Sequence, residues 1–327
     1  MQEIKLIAID LDGTLLSSEK TISEANLTAL RAAVARGVYV VLASGRSYRN
    51  AMDFSEAIAK GQPLICANGA MATLSDPYEC VYCECLSKDK LRAAVEILER
   101  EKCYYNVYCD DGAVMESRTG SAGRKREANG YAVYRGTVLS GDEMPKYVGD
   151  GALKVVCFSP DREKMQRIRS AAERIPGVEI NSSWWDNLEI MAAGVHKGAA
   201  LRCLAQRLEI PLDEVMAIGD NENDLPMLQV AGLPVAMGNA VESVKQQCAY
   251  VTATNDEDGV AVIGIRSGAQ FVPVYVEGNK RLFRRTRIIF GQAYRPEATS
   301  RRPSPEEVQA IADEVLRRSY ALGKEAR

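Results

Sequence analysis

Two aspartates one residue apart carry the strongest chemical signal in the sequence. They lie in the stretch Asp10-Leu11-Asp12-Gly13-Thr14, directly after a short, branched apolar run. Open α/β sheets bind ligands outside the carboxyl ends of their strands. Two carboxylates at such an end, followed by a permissive glycine, could share a hard cation. Taken alone, the stretch could equally be an ordinary Asp-Gly surface turn.

Three further polar clusters follow predicted strand ends or begin predicted helices. They are Ser44-Gly45-Arg46, Lys197 in the stretch GVHKGAAL, and the run Asp220-Asn221-Glu222-Asn223-Asp224. The first offers a hydroxyl and a backbone amide to an anion, the second a point charge, and the third several carboxylates within one turn. Each could be a solvated surface feature by itself. Four such clusters in the chain order of one sheet favour a single catalytic site.

The elements that must position these clusters predict an α/β fold with a doubly wound, mostly parallel, Rossmann-like sheet. Short apolar runs that suit strands buried on both faces occur at residues 4–10, 38–43, 63–66, 215–219, 233–237 and 249–253. Helix-length intervals separate most of them, as in consecutive βαβ units.

The middle of the chain has a different order and predicts an inserted α+β domain. Its expected elements are a helix at 87–101, a strand pair within 103–116, a strand at 153–158, a helix at 161–174 and a strand pair within 177–191. The paired tryptophans Trp184 and Trp185 in this region could stack against a substrate or close the insert's own core.

The blocks IAIDLDGTLL, LASGR, VHKGAAL and GDNENDLPML resemble the four motifs of the haloacid dehalogenase superfamily, in particular its Cof-type sugar phosphatases with a type IIB cap. The resemblance covers about residues 4–259. It implies a phosphatase core at 1–73 and 191–264, and a substrate-selecting cap at 74–190. It also implies a Mg²⁺-dependent phosphatase that hydrolyses a small phosphorylated metabolite through a phosphoaspartyl intermediate.

The same resemblance assigns roles to residues of this sequence. Asp10 resembles the nucleophile and Asp12 the general acid and base. The residues that resemble substrate contacts are Ser44, Gly45, Arg46, Lys197 and Asn223. The expected Mg²⁺ ligands are Asp10, Asp12 through its backbone carbonyl, and Asp220, with Asp224 in support. His196 precedes the motif lysine, and we expect it to begin a helix without a catalytic role.

Composition excludes several classes of protein. Hydrophobic residues make up 46% and charged residues 26% of the 327 residues, which is typical of a globular chain. No apolar run approaches the ~20 residues of a membrane span, and no signal peptide is evident, so we expect a cytoplasmic protein. The nine cysteines are odd in number and dispersed, which favours reduced thiols over disulfides. We expect Cys80, Cys83 and Cys85 to be strand residues, not zinc ligands.

The composition changes near residue 265. Residues 266–327 carry 13 Lys and Arg against 7 Asp and Glu, and they hold none of the cysteines. We expect strands at 271–277 and 286–290, and an amphipathic helix that begins near Ser304. This tail, residues 265–327, resembles the C-terminal fragment of a 1-acylglycerol-3-phosphate acyltransferase. It lacks the His-x₄-Asp pair of that family, which excludes acyl transfer, and it could be a natural fusion or an artefact.

Two other functions stay open at this point. A phosphosugar mutase would share the nucleophile chemistry, and the basic loop at 280–287 could bind a lipid phosphate or a membrane surface. A single short basic loop adds little affinity, so we expect no stable membrane insertion. We expect no nucleic-acid partner because the phosphatase region is acidic. Candidate substrates are hexose and pentose phosphates, pyridoxal phosphate and flavin mononucleotide, and the oligomeric state is open.

Overall fold

A computed structural model describes residues 4–119, 137–182 and 185–266, the stretches 274–276 and 288–290, and four single positions after residue 313. Its strands are β1 (Leu6–Ile9), β2 (Tyr39–Ala43), β3 (Leu64–Cys66), β4 (Met71–Ser75), β5 (Tyr78–Cys83), β6 (Tyr104–Cys109), β7 (Val114–Ser117), β8 (Val138–Leu139), β9 (Ala152–Phe158), β10 (Val178–Asn181), β11 (Asn187–Ala192), β12 (Val215–Gly219), β13 (Leu233–Ala236), β14 (Tyr250–Val251), β15 (Val274–Val276) and β16 (Ile288–Phe290).

The helices alternate with these strands in two regions of the chain. They are α1 (Glu24–Val34), α2 (Tyr48–Ile58), α3 (Lys88–Arg100), α4 (Met144–Val148), α5 (Arg162–Ala172), α6 (Lys197–Arg207), α7 (Leu225–Val230), α8 (Glu242–Lys245) and α9 (Gly259–Arg266). Among the described residues, no helix is both long and apolar enough to cross a membrane.

The first sheet has eight strands in the order β14-β13-β12-β1-β2-β3-β4-β5. All pairs from β14 to β3 are parallel, which confirms the predicted α/β fold and its six parallel strands. The strand order reverses between β1 and β12, so the topological switch point lies there. Open α/β sheets bind their ligands beside such a switch point.

The hairpin β4–β5 extends this sheet beyond the prediction. Both strands pair antiparallel, β4 on β3 and β5 on β4. Cys80 and Cys83 lie on β5, as expected, whereas Cys85 follows that strand. The sequence did not place β5 in this sheet, because it has no buried residue and lacks the continuous apolar run of a buried strand. The division into a core and a cap at residues 74 and 190 stays a prediction, although β5 follows residue 74 and belongs to the first sheet.

The second sheet has six strands in the order β10-β11-β9-β6-β7-β8. Its pairs are antiparallel except for β7 and β8. The helices and strands expected in the insert all form, and the short elements β8 and α4 were not predicted. Leu98, Val155 and Ile168 are fully buried between this sheet and the helices α3 and α5.

The tail is described at few positions. β15 and β16 pair antiparallel, which agrees with the two strands expected there. Glu314, Arg317, Arg318 and Ala321 are helical, and the rest of the expected helix lies outside the described residues.

Candidate active site

Asp10 lies at the carboxyl end of β1, at the switch point of the first sheet. Its backbone amide donates to the Ile218 carbonyl of β12 at 3.0 Å, which continues the β1–β12 pairing to this residue. The residue is only 6% exposed. One carboxylate oxygen, Oδ1, accepts a hydrogen bond from Lys197 Nζ at 2.5 Å.

Lys197 joins two of the four clusters. It is the first residue of α6 and is fully buried, and its Nζ also lies 2.6 Å from Asp224 Oδ1. Burial alone would lower the pKa of Lys197, but the charges of Asp10 and Asp224 raise it above its usual value. Lys197 is therefore a buried cation held between two carboxylates.

His196 caps the helix that carries this lysine. Its Nδ1 accepts a hydrogen bond from the Ala199 amide at 3.0 Å. This is the helix-start role expected from the sequence.

Three carboxylates meet at the end of β1 and β12. Oxygen atoms of Asp10, Asp220 and Asp224 lie within 4.8 Å of one another. Burial raises the pKa of Asp10 well above its ordinary value, and the charges of Asp224 and Asp220 add to this rise against the opposing effect of Lys197. Burial likewise raises the pKa of Asp220 to about 6. The single positive charge of Lys197 does not neutralise the three carboxylates. The carboxylates offer only oxygen donors, and such a donor set fits a hard divalent cation.

Asp224 is already engaged by the protein. Its Oδ2 accepts from the Asp220 amide at 2.9 Å and from the Asn221 amide at 3.1 Å, while Oδ1 faces Lys197. These bonds close the turn Glu222–Asp224 and fit the supporting role expected for this residue. Asn223 lies in the same turn and is exposed.

Thr14 is a contributor to which the sequence analysis assigned no role. Its buried hydroxyl donates to Asp220 Oδ1 at 2.6 Å and so orients that carboxylate. Gly13, between Asp12 and Thr14, has a φ of +94°, and a Cβ there would lie 2.5 Å from Asp220 Oδ2. Gly13 and Thr14 thus hold the turn against Asp220. Their position directly after Asp12 was the feature of the sequence that could have indicated this role.

Asp12 points to two cations. Arg46 binds it in a bidentate pair, with Nε and one terminal nitrogen each 2.9 Å from a carboxylate oxygen, and Lys20 Nζ lies 3.2 Å away. Burial would raise the pKa of Asp12, but the hydrogen bonds and charge of Arg46, with Lys20, hold it below the usual value. The guanidinium of Arg46, expected to contact substrate, contacts Asp12 in this structure.

Ser44 and Gly45 form a tight loop after β2. Ser44 is buried, and its Oγ accepts from the Arg46 amide at 3.2 Å. The Ser44 carbonyl accepts from the amide of Asn68, a residue of the turn Ala67–Gly69 that the sequence analysis did not single out. Asn68 has a φ of +57°, a conformation that asparagine tolerates better than most residues.

Of the two tryptophans, the structure describes Trp185. Trp185 is 68% exposed and lines a surface groove with Arg162 and Met165 of α5. It therefore closes no core, and it lies on the helix-covered side of the second sheet. Trp184 lies outside the described residues.

The three cysteines of the β5 region carry exposed or half-buried thiols. Cys83 Sγ and Cys85 Sγ are 3.6 Å apart. Among the described residues, the group of three potential metal ligands is the carboxylate cluster at Asp10, and the absence of zinc at these thiols stays a prediction.

The chain is similar to known proteins over most of its length. The model of the haloacid dehalogenase-like hydrolases matches residues 7–263. The 5-amino-6-(5-phospho-D-ribitylamino)uracil phosphatase YcsE of Bacillus subtilis is 35% identical over 260 residues, which is 79% of this chain and 94% of that protein.

Solved structures agree in fold. A haloacid dehalogenase-like hydrolase from Bacteroides thetaiotaomicron superposes with a TM-score of 0.71 at 29% identity, covering 79% of this chain and 97% of the other. The subclass IIB sugar phosphatase BT4131 gives a TM-score of 0.69 at 25% identity, covering 81% and 99%. The family match ends at residue 263, so none of these findings supports the acyltransferase resemblance of the later residues.

Proposed function

We propose that this chain, which belongs to the haloacid dehalogenase-like hydrolase family, hydrolyses small phosphate monoesters with Asp10 as the nucleophile and Mg²⁺ as the cofactor. The chain is a phosphatase, as its named relatives are. The observation that carries the residue assignment is the fully buried Lys197 that joins Asp10 to Asp224 beside Asp220. A buried cation against a carboxylate suits attack on an anionic phosphoryl group.

In the first half-reaction, an oxygen of Asp10 attacks phosphorus and the bond to the leaving oxygen breaks. Lys197, the Ser44 hydroxyl and the Gly45 amide bind the non-bridging oxygens, whose negative charge would otherwise repel the carboxylate. Asp12 gives its proton to the leaving oxygen, so that a neutral alcohol departs. The product on the enzyme is an aspartyl phosphate.

In the second half-reaction, water attacks the phosphorus of the aspartyl phosphate. Asp12, now a carboxylate, takes the proton of that water, and Asp10 is regenerated as inorganic phosphate leaves. The bidentate pair with Arg46 stabilises the carboxylate form of Asp12, which is the form required here. Negative charge of the bound substrate favours the protonated form in the first half-reaction.

Asp10, Asp220 and the backbone carbonyl of Asp12 would hold the Mg²⁺. Asp224 supports them, since its oxygens bind Lys197 and two backbone amides. Bound Mg²⁺ supplies positive charge against the phosphoryl oxygens. Arg46 and Asn223 stay proposed substrate contacts, and Arg46 reaches the site through Asp12 in this structure. Residues after 266 take no part in the proposed reaction.

The experiment that tests this proposal is a panel of phosphorylated metabolites assayed for inorganic phosphate release with Mg²⁺ and with chelator. We expect release that requires Mg²⁺ and needs no bisphosphate activator. A requirement for a bisphosphate would favour a phosphomutase, and release that is insensitive to chelator would contradict the metal assignment.

A further inference from the structure

Three cysteine thiols lie together where the chain leaves the first sheet. Cys80 and Cys83 belong to the edge strand β5, and Cys85 lies in the connection from β5 to α3. Cys83 Sγ is 3.6 Å from Cys85 Sγ. Cys80 and Cys83 are exposed and Cys85 is half-buried, so an ion in solution can reach them. These three side chains are called the thiol cluster below.

A bulge in β5 brings Cys80 and Cys83 to one face of the sheet. On a regular strand, residues an odd number of positions apart project to opposite faces. Here the register shifts, so that Cys80 lies opposite Thr73 and Cys83 lies opposite Met71. Thr73 and Met71 are two positions apart on β4 and therefore share a face. Directly paired residues project to the same side of a sheet, so Cys80 and Cys83 share that face as well.

Hydrogen bonds to both sheets fix the backbone on either side of Cys85. The Glu84 amide donates to the Ala70 carbonyl, next to β4, at 2.8 Å. The Leu86 amide donates to the Ala152 carbonyl of β9 at 2.7 Å. Ligands that are held in place before an ion binds lose little freedom on binding, and this favours affinity. The segment that carries Cys85 is therefore preorganised beside Cys83.

The surroundings of the thiol cluster favour a cation. The hydrogen bond with Cys85, together with burial, raises the pKa of the Cys83 thiol, and the charge of Asp110 adds to this rise. Burial raises the pKa of the Cys80 thiol, and the charges of Cys83 and Asp110 act in the same direction. Protonated thiols are weak nucleophiles, which disfavours disulfide exchange here. A bound cation would offset the repulsion between thiolates and would be attracted by the Asp110 carboxylate.

We propose that the thiol cluster binds one Cu(I) ion, with Cys83 and Cys85 as the principal ligands and Cys80 as the third. Thiolates are soft ligands, and soft ligands select Cu(I). Structural zinc takes four ligands in a tetrahedron, whereas Cu(I) is also stable with fewer sulfur ligands. Each bond between copper and sulfur replaces an S–H bond whose proton goes to solvent, and no electron is transferred.

Cys80 is the third ligand because its thiol is engaged elsewhere. Its Sγ donates to the Tyr82 carbonyl at 3.5 Å, and the three sulfurs do not all lie within 4.8 Å of one another. Cys80 therefore has to turn from that carbonyl to reach an ion held by Cys83 and Cys85. The proposal is independent of the phosphatase function, since the thiol cluster shares no residue with the carboxylate cluster at Asp10.

The test is competition for Cu(I) between the full-length, reduced chain and the chromophoric chelator bicinchoninate, without oxygen. We expect the wild-type chain to withdraw a single equivalent of Cu(I), and X-ray absorption of the copper to show sulfur ligands only. Cys83→Ser should lower the affinity at least about 10–100-fold, since the loss of a residue that merely orients a ligand already costs that much. Cys80→Ser should lower it less than Cys83→Ser does.

A double variant, Cys203→Ser with Cys248→Ser, is the matched control. It removes two half-buried thiols that lie on α6 and before β14, and it should keep the wild-type affinity. Because Cys83 is exposed, serine there should leave the fold intact, and circular dichroism checks this. The proposal is overturned by a wild-type chain that withdraws no Cu(I), by nitrogen or oxygen ligands on the copper, or by wild-type affinity in Cys83→Ser. A control variant that loses as much affinity as Cys83→Ser would overturn it too.

Discussion

Replacing Lys197 with Met removes the cation that two buried carboxylates share. The side chain is fully buried, and its Nζ lies 2.5 Å from Asp10 and 2.6 Å from Asp224. Met has a similar length and volume, so the cavity left behind is small. Removing one partner of a buried ion pair costs about 3–5 kcal/mol, because the remaining charges stay buried without compensation. We expect the free energy of unfolding to fall by about that amount.

A matched control separates burial from the loss of a lysine. Lys5 also pairs with a carboxylate, Glu214, at 2.8 Å, but its side chain is 52% exposed. Exposed pairs contribute about 0–1 kcal/mol, so Lys5→Met should change stability by no more than that. Urea denaturation followed by circular dichroism, in chelator, measures both variants. Equal losses in the two would refute the assignment of Lys197 as the buried counter-ion of the site.

Three further predictions concern the general acid, the metal and the tail. Asp12→Asn should reduce kcat/KM by about 10²–10⁴ for alkyl phosphates and less for p-nitrophenyl phosphate, whose leaving group needs no proton; an equal loss on both esters would assign Asp12 to metal binding alone. Thr14→Val should raise the Mg²⁺ concentration for half-maximal activity by about 10–100-fold, because Asp220 loses the hydroxyl that orients it; an unchanged Mg²⁺ titration would count against that role. Truncation after Arg266 should keep activity within a few-fold, because the family match ends at residue 263; loss of Mg²⁺-dependent hydrolysis would show that the later residues are needed.

The parallel strands could be predicted because a strand buried on both faces has a continuous run of apolar residues. Runs such as VYVVLA and VMAIG are almost wholly apolar, and polar residues that follow them must lie at one edge of the sheet. The chemistry near Asp10 could be predicted for this reason. The place of β4 and β5 in the first sheet could not, since an edge strand without buried residues carries no such run.

The contacts between the second sheet and the first could not be predicted from the sequence. Asn68 and Glu189 are 121 residues apart, and nothing in either stretch marks them as partners. Lys154 lies in a strand that is otherwise apolar, ALKVVCF, and its burial depends on the register with β11. The pairing of Arg46 with Asp12 likewise depends on where two loops meet in space. Tertiary contacts decide these features, and local pattern does not report them.

The central claim is that Asp10 carries the phosphoryl group during turnover. Mass spectrometry of peptides from enzyme that is acid-quenched while it hydrolyses p-nitrophenyl phosphate with Mg²⁺ tests this claim most directly. We expect one added phosphoryl group on the peptide that contains Asp10. In Asp10→Asn we expect neither this group nor hydrolysis. A phosphoryl group on another residue, or near wild-type hydrolysis by Asp10→Asn, would contradict it.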